Sequence, residues 1–508
     1  MSDIKKNLEA KLQAFTYQED AVNYLVNKEY GAIFHEQGLG KSKIAVDLIL
    51  EWLKKDELDY IILVAKKGLV NNWIKEVKNH TYLKHRIIDN DVTKNTKAFT
   101  SLCNLIITHY EAVKLERKRI TSLCETERVG IILDESTKIK NPESSLSKIF
   151  HELSLLFKKR LILTGTPIAN RPYDIWSQIY FLDQGKSLGE DFNDFKKQHD
   201  LSKELTGVLS TKEENNYKSD HNAFNSNSTD MKQKEFESRI RDIKNKIVSF
   251  SVRENKSNEF VKNKLPEKIF KKIKCDWESK QKQLYLKYKK ELGATILKNG
   301  KEYEDDSEDL IKLLLRLVQI ASNPSLVDES YNVTSGKEII LDDLLLKIFK
   351  QNEKVIVWSN FTNNINYLYN KYKSFFPVRI HGKLSMDERN RAVELFLNNN
   401  ECKVLFATPG AAKEGLTLTV ANHAIFYDRG FSLDDYLQSQ DRIHRISQKK
   451  DCFIYNLIMD DSIDKWIDEL LNTKKYAALL AQGDIDINEY RSNVNYSFGE
   501  ILNEVLNG

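Results

Sequence analysis

The run Glu36-Gln37-Gly38-Leu39-Gly40-Lys41-Ser42 lies between a short apolar stretch at residues 31–34 and a helical pattern at 43–54. These residue types in this order suit the holding of a phosphate. Glycines let backbone N–H groups approach an anion, a helix N-terminus favours negative charge, a lysine reaches the β- and γ-phosphates, and a hydroxyl can ligate Mg2+. His35 stands where a full Walker loop has its first glycine, so the string alone also fits a tight strand–helix turn. A second element narrows the choice. Ile131-Ile132-Leu133 reads as a buried strand leading directly to Asp134 and Glu135. There Asp134 suits holding Mg2+ through its water shell, and Glu135 suits orienting and deprotonating an attacking water. The chemistry implied is hydrolysis of a nucleoside triphosphate, with Gly38, Gly40, Lys41 and Ser42 on the phosphates and Ser42 and Asp134 on the metal. A third element is Arg442 with Arg445, in a chain holding only 17 arginines against 61 lysines. Three residues apart, the two are expected on one helix face. Planar guanidinium groups grip γ-phosphate oxygens bidentately and stay charged.

The elements that position these residues form two series. Short β-branched runs recur at 31–34, 60–65, 105–108, 130–133 and 160–164, and again at 354–359, 378–381, 403–408, 423–427 and 453–458. Helical patterns such as 43–54 and 387–398 separate most of them. Strands alternating with helices predict parallel α/β sheets, here in two domains. At ~150 residues per domain, a chain of this length suggests about three units. Between the series the texture changes. Residues 201–234 are rich in Asn, Ser, Lys and Glu and read as a solvated, partly disordered loop. From 236 onward apolar residues fall at helical spacing (Phe236, Ile240, Ile243, Ile247, Phe250), then come a Lys-rich helical stretch at 277–298, an acidic one at 302–309 and an apolar helix at 310–320. This middle region is expected to be helical. No internal repeat is visible.

The ordered motifs resemble those of Swi/Snf-type ATPases of the second helicase superfamily. DESTKIKN (134–141) followed by LTGTPIANRPYDIWSQIYFL (163–182) is similar to motifs II and III, and EQGLGKS (36–42) to motif I, which in that family also lacks the first Walker glycine. Tyr17-Gln18 stands where such proteins carry the glutamine that reads adenine. Trp73 with Glu76, and Thr108-His109-Tyr110, resemble the motifs between I and II. Leu265-Pro266, LRLVQIASNP (315–324) and Ser335-Gly336-Lys337 resemble the segment joining two motor lobes. KVIVWSNFT (354–362) and IHGKLSMDER (380–389) resemble motifs IV and IVa, residues 404–430 motif V, and DDYLQSQDRIHRISQ (434–448) motif VI. The match runs from about residue 14 to 470. Two departures stand out: Ser136-Thr137 replaces the usual Ala-His pair after Asp-Glu, and Arg429-Gly430-Phe431-Ser432 replaces Trp-Asn-Pro after motif V.

The resemblance implies two RecA-like parallel-sheet lobes with helical insertions between them. The expected division is a first lobe at 1–185, a helical insertion region at 186–330 containing the polar loop 201–234, a second lobe at 331–475 and a helical tail at 476–508. It implies ATP and Mg2+ as cofactors, Arg442 and Arg445 as fingers, and Gly415, Thr417 and Gln438 on the second-lobe surface. It also implies DNA, gripped through its phosphates without sequence readout, with Lys66, Lys67, Thr108, Asn360, Lys383 and Thr408 as handles by motif position. The function expected is an ATP-dependent translocase on double-stranded DNA, a minimal bacterial- or phage-like motor. The alternatives are a strand-separating or branch-migrating helicase on forked DNA or RNA, and a nucleotide-gated DNA clamp that does not translocate.

Charge bears on the partner. The chain's 78 basic and 74 acidic residues leave only +4, yet residues 231–300 hold 20 basic and 9 acidic residues, a local +11. Such a field suits phosphate tracking. Five scattered cysteines without a CxxC pair argue against a disulfide framework or zinc module and fit a reducing compartment. The longest apolar runs fall far short of the ~20 residues that span a bilayer. The expectation is a cytoplasmic protein of a bacterial or phage-infected cell, monomeric when free, off the membrane, with a protein partner left open.

Overall fold

The computed structural model describes residues 8–100, 103–168, 171–199, 238–256, 265–299, 308–412, 416–445 and 447–494. The expected loop at 201–234 lies outside them. The chain divides into two compact units. The first comprises 1–199, 238–262 and 481–484; the second takes the remainder.

The first unit holds seven strands: β1 (Tyr30–Ile33), β2 (Tyr60–Ala65), β3 (His85–Ile87), β4 (Leu105–His109), β5 (Val129–Asp134), β6 (Lys159–Leu163) and β7 (Ser251–Val252). Their order is β3-β4-β2-β5-β6-β1-β7, and every pairing is parallel. Buried on both faces by helices, the inner strands are near-continuous apolar runs, YIILVA in β2 and VGIILD in β5. The helix Lys41–Lys54 lays Ile44, Ala45, Leu48, Ile49 and Trp52 into one core cluster with Ile61, Leu63, Ile132 and Leu163.

The second unit repeats the plan with β8 (Lys268–Cys275), β9 (Val355–Trp358), β10 (Val378–Ile380), β11 (Val404–Ala407), β12 (His423–Phe426) and β13 (Cys452–Met459). The order is β10-β11-β9-β12-β13-β8, again wholly parallel. Period-two alternation divides its core. Val355, Val357 and Phe406 feed one cluster, while Ile356, Trp358 and Leu405 feed another. The two parallel sheets with flanking helices are the α/β class expected from the sequence.

Three strands fall outside the expected series, and all are edges of a sheet: β3, β7 and β8. The last two lie in the stretch read as helical. In β8, KIFKKIKC, the lysines blunt an exposed edge against pairing with another chain. They are also engaged within their own unit. Lys272 pairs with Asp468 at 2.7 Å, Lys274 with Asp460 at 2.6 Å, and Lys271 lies over the Phe453 and Tyr455 rings. Part of the local positive excess is therefore neutralised where it stands. No helix among the described residues is long and apolar enough to cross a membrane.

Candidate active site

The phosphate loop leaves β1 and enters the helix Lys41–Lys54 through two left-handed glycines, Gly38 at φ +88° and Gly40 at φ +74°. At Gly40 the conformation and the space agree on glycine, since a Cβ there would meet the Gln18 amide nitrogen at 2.2 Å. That nitrogen donates to the Leu39 carbonyl at 3.2 Å, and the Tyr17 hydroxyl donates to the same oxygen at 3.1 Å. Gln18 is buried against the loop. Lys41 is half-buried at the helix start, and its ammonium donates to the His35 and Glu36 carbonyls at 2.9 and 3.3 Å. Ser42 follows it in the first turn.

His35, beside the loop, is 2% exposed, and neither ring nitrogen has a hydrogen bond of normal geometry. Burial first, then the Lys41 charge, pushes its pKa down to about 3, so the ring is neutral.

The strand β5 delivers the carboxylates. One Asp134 oxygen accepts the Trp73 indole N–H at 2.7 Å, and the other accepts the Glu135 backbone N–H at 3.0 Å. The Tyr110 hydroxyl donates to the Asp134 carbonyl at 2.8 Å. Burial and the adjacent Glu135 raise the Asp134 pKa, against the Trp73 hydrogen bond and the charges of Lys41 and Lys66. Glu135 itself sits in the left-handed region at φ 52°, ψ 55°. A non-glycine residue there costs on the order of 1 kcal/mol or more, a strain typical of working sites. Its Oε1 receives the Gln37 amide at 3.5 Å; its Oε2 lies 3.9 Å from the Lys66 ammonium and has no hydrogen bond, though it is buried.

The turn after β6 closes the site. A Cβ on Gly165 would lie 2.8 Å from Gln37 Cγ and 3.2 Å from Lys41 Nζ, so this glycine is what lets the turn approach the loop. Gln178 ties the turn to β5: its Nε2 donates to the Pro167 carbonyl at 3.0 Å, and its Oε1 accepts from Ser136 at 2.7 Å. Ser136 thus anchors Gln178 at the end of β5.

The site fits a magnesium nucleotide on its own chemistry. The donors are oxygens, from Asp134 and Ser42, as the hard Mg2+ ion requires. Glycine cradles stand where a phosphate needs backbone, and Glu135, next to Asp134, keeps a buried oxygen without a donor.

In the second unit the helix Leu433–Gln440 ends before the arginines. The sequence places Arg442 and Arg445 on one helix face, and the structure corrects this. Arg442 lies in the turn that follows and Arg445 in a bend beyond it, and both side chains fold back onto the chain. Arg442, 2% exposed, donates to the Gln438 and Leu416 carbonyls at 3.0 and 3.4 Å. Arg445 donates to the Asp441 carbonyl at 3.0 Å and to the Thr417 hydroxyl. Gln438 is buried, with its amide on Asp434 at 2.6 Å. Gly415 lies outside the described residues.

The candidate phosphate handles divide. Lys67 and Lys383 are exposed. Thr108 is fully buried and its hydroxyl donates to the Ile88 carbonyl at 2.9 Å, so its side chain is not available to a ligand. Thr408 is 9% exposed, with its backbone N–H on Ile380. Asn360 is bound to Asp428 through its backbone at 2.7 Å and its amide at 3.1 Å.

Sequence reasoning did not assign Gln37, Tyr110 or Gln178 to the site. Gln37 lies inside the quoted loop and Gln178 inside the quoted motif III string, so only spatial proximity was missing.

Comparison with known proteins gives two family matches in chain order. The SNF2-related domain matches residues 17–326, and the helicase conserved C-terminal domain matches residues 336–447. The ISWI chromatin-remodeling complex ATPase ISW1 of Saccharomyces cerevisiae is 26% identical over 485 residues, covering 90% of this chain and 39% of that protein. The human SWI/SNF-related matrix-associated actin-dependent regulator of chromatin subfamily A member 1 is 27% identical, covering 90% and 42%. The chain thus spans about two fifths of the length of these relatives. Among solved structures, the Sulfolobus solfataricus SWI2/SNF2 ATPase core in complex with dsDNA is 23% identical, with 96% of this chain and 98% of that chain covered and a TM-score of 0.41. At that score the likeness carries no weight for the fold, which stands on the strand orders above.

Proposed function

Because the chain belongs to the family of the SNF2-related domain, we propose that it is an ATP-driven motor that hydrolyses ATP with Mg2+, moves on double-stranded DNA and remodels DNA or protein–DNA complexes. One observation carries the hydrolysis: at the end of β5, Asp134 is held by two donors while the adjacent Glu135, in strained backbone, keeps a buried oxygen without a hydrogen bond. A fixed metal-binding carboxylate beside a carboxylate with spare acceptor capacity is what positioning and deprotonating a water requires.

Magnesium would supply neutralisation of phosphate charge when bound, with Asp134 and Ser42 holding it. Lys41 and the N–H groups around Gly38 and Gly40 orient the β- and γ-phosphates, and Gln18 the base. Glu135 takes the proton of the attacking water at its Oε2. Arg442 and Arg445 stabilise the charge that develops on the γ-phosphate, and Gln438 and Gly415 belong with them.

Lys66, Lys67, Lys383, Asn360 and Thr408 remain candidate handles for the DNA backbone. The names of the relatives, a chromatin-remodeling complex ATPase in yeast and a regulator of chromatin in human, support DNA as the track. Five free cysteines support a reducing compartment, such as the cytoplasm of a bacterial or phage-infected cell.

Turnover measured with duplex DNA, single-stranded DNA and RNA tests the reading. Stimulation by duplex DNA, together with displacement of a third strand from a triplex, is expected. A response to RNA but not to duplex DNA overturns it, and unwinding of a fork without third-strand displacement points to the strand-separating helicase instead.

A further inference from the structure

The segment 66–73 touches both carboxylates of the site. It begins at the end of β2, the strand paired with β5. Its first residue, Lys66, puts its ammonium 3.9 Å from Glu135, and its last, Trp73, donates its indole N–H to Asp134 at 2.7 Å. We propose that Trp73 is a positioning residue for Asp134, fixing the carboxylate that takes the magnesium nucleotide. The inference rests on the assignment of Asp134 made above and deepens it.

Several observations support the role. Trp73 is 3% exposed, so its N–H has no recourse to water, and a buried donor without an acceptor is costly. The acceptor it meets is a charged oxygen, the stronger kind of partner. Asp134's other oxygen is taken by the backbone N–H of Glu135. The carboxylate plane is thus set by one donor from its own strand and one from outside it. Only the outside donor can be removed by a side-chain substitution.

Trp52 supplies the contrast within the same core cluster. It is equally buried, at 3% exposed, but its indole donates to the Val26 carbonyl at 2.9 Å, which no candidate site residue shares. A purely structural role for a buried indole is what Trp52 shows, with Lys159 over its ring and a backbone acceptor, whereas the Trp73 acceptor is a carboxylate of the site. The placement also has a consequence. The same short segment carries Lys66 and Lys67, so nucleic acid held by these lysines would bear on the element that orients Asp134.

The test compares Trp73→Phe with Trp52→Phe in the full chain without DNA. MgCl2 is titrated against protein and a methylanthraniloyl derivative of ADP, and the Mg2+ midpoint for nucleotide binding is read. Outer hydrogen-bond partners of metal ligands typically contribute about tenfold or more in metal affinity. Trp73→Phe should therefore raise the midpoint about tenfold and leave binding in EDTA unchanged. Trp52→Phe should lower thermal stability without moving the midpoint. An unchanged midpoint in Trp73→Phe, or an equal shift in both variants, overturns the proposal.

The unaltered chain gives a second measurement should Trp73→Phe not fold. Among the indole N–H resonances of its six tryptophans, one displaced by a carboxylate acceptor should move with MgADP and stay in place with ADP in EDTA. The absence of any magnesium-dependent shift overturns the proposal. A wild-type chain that binds no nucleotide at all overturns the functional reading itself, a different result.

Discussion

Each parallel sheet brings an aspartate to the same place, but Asp134 accepts one donor on each oxygen and stands beside an open carboxylate, whereas Asp428 accepts at least two on each. In the first unit Asp134 closes β5 beside β2, from whose end Lys66 follows. Its neighbour Glu135 keeps a buried oxygen without a hydrogen bond. In the second unit Asp428 follows β12 beside β9, whose end leads to Ser359 and Asn360. Asp428 is 1% exposed and saturated. One of its oxygens takes the Ser322 hydroxyl at 2.8 Å and the Ser359 hydroxyl, and the other takes Asn360 through backbone and amide. Asn364 links the same serines and Asn323. The carboxyl ends of parallel strands offer a natural place for a ligand. Whether an aspartate there is a reagent or a rivet depends on how many donors the fold has already spent on it.

The largest effect expected from this contrast is chemical. Glu135→Gln should lower turnover about a thousandfold, within the span of general-base losses, while leaving the melting temperature and nucleotide binding close to wild type. Turnover that persists would show that the open carboxylate is not the base.

Asp428→Ala should do the reverse. Stripping a buried acceptor from several donors costs about 3 kcal/mol, read as a lower denaturant midpoint at unchanged m-value. A smaller step is Asn360→Ala, which keeps the backbone bond and loses the amide, at about 1 kcal/mol. The matching change in the first unit, Lys66→Ala, should cost next to nothing in stability, because an ion pair at 3.9 Å contributes little, but should reduce stimulation by DNA. If Lys66→Ala proves as destabilising as Asn360→Ala, the two strand ends are alike and the contrast fails.

How far the sequence revealed this depends on the same distinction between buried and exposed. The ten runs expected as strands are inner strands or, at β10, a short buried edge, because a strand covered on both faces must be apolar along its length. The missed β3, β7 and β8 are edges whose sequences, such as His85-Arg86-Ile87, carry polar and charged groups that face solvent. The phosphate loop and the Asp134-Glu135 pair were legible because each is continuous in the chain. Trp73 on Asp134, Gln178 between β5 and the β6 turn, and Thr108 buried on Ile88 were not, since each is a contact between segments far apart in sequence. Arg442 and Arg445 show the remaining limit. A spacing of three predicts one face only while the helix lasts, and the helix ends at Gln440.

Buried histidines carry the same contrast into pH dependence. In the second unit His423 is held by Glu353 and, at 3.1 Å, by the Tyr455 hydroxyl; burial lowers its pKa while Glu353 works against the shift. His35 has no carboxylate partner, and burial with Lys41 beside it takes its pKa to about 3, against the opposing Val252 backbone. Below pH 6.5 the unfolded chain therefore binds a proton at residue 35 that the folded chain refuses until about pH 3. The neutral state stabilises the fold above this window, and stability is lost as the pH falls through it, by up to about 1.4 kcal/mol per pH unit. His35→Gln, which does not titrate, should flatten the fall in melting temperature between pH 6.5 and 5 relative to wild type, whatever it does at neutral pH. Equal slopes in the two proteins would mean that the Val252 backbone contact outweighs burial and that His35 takes up its proton in the folded state as readily as in the unfolded one.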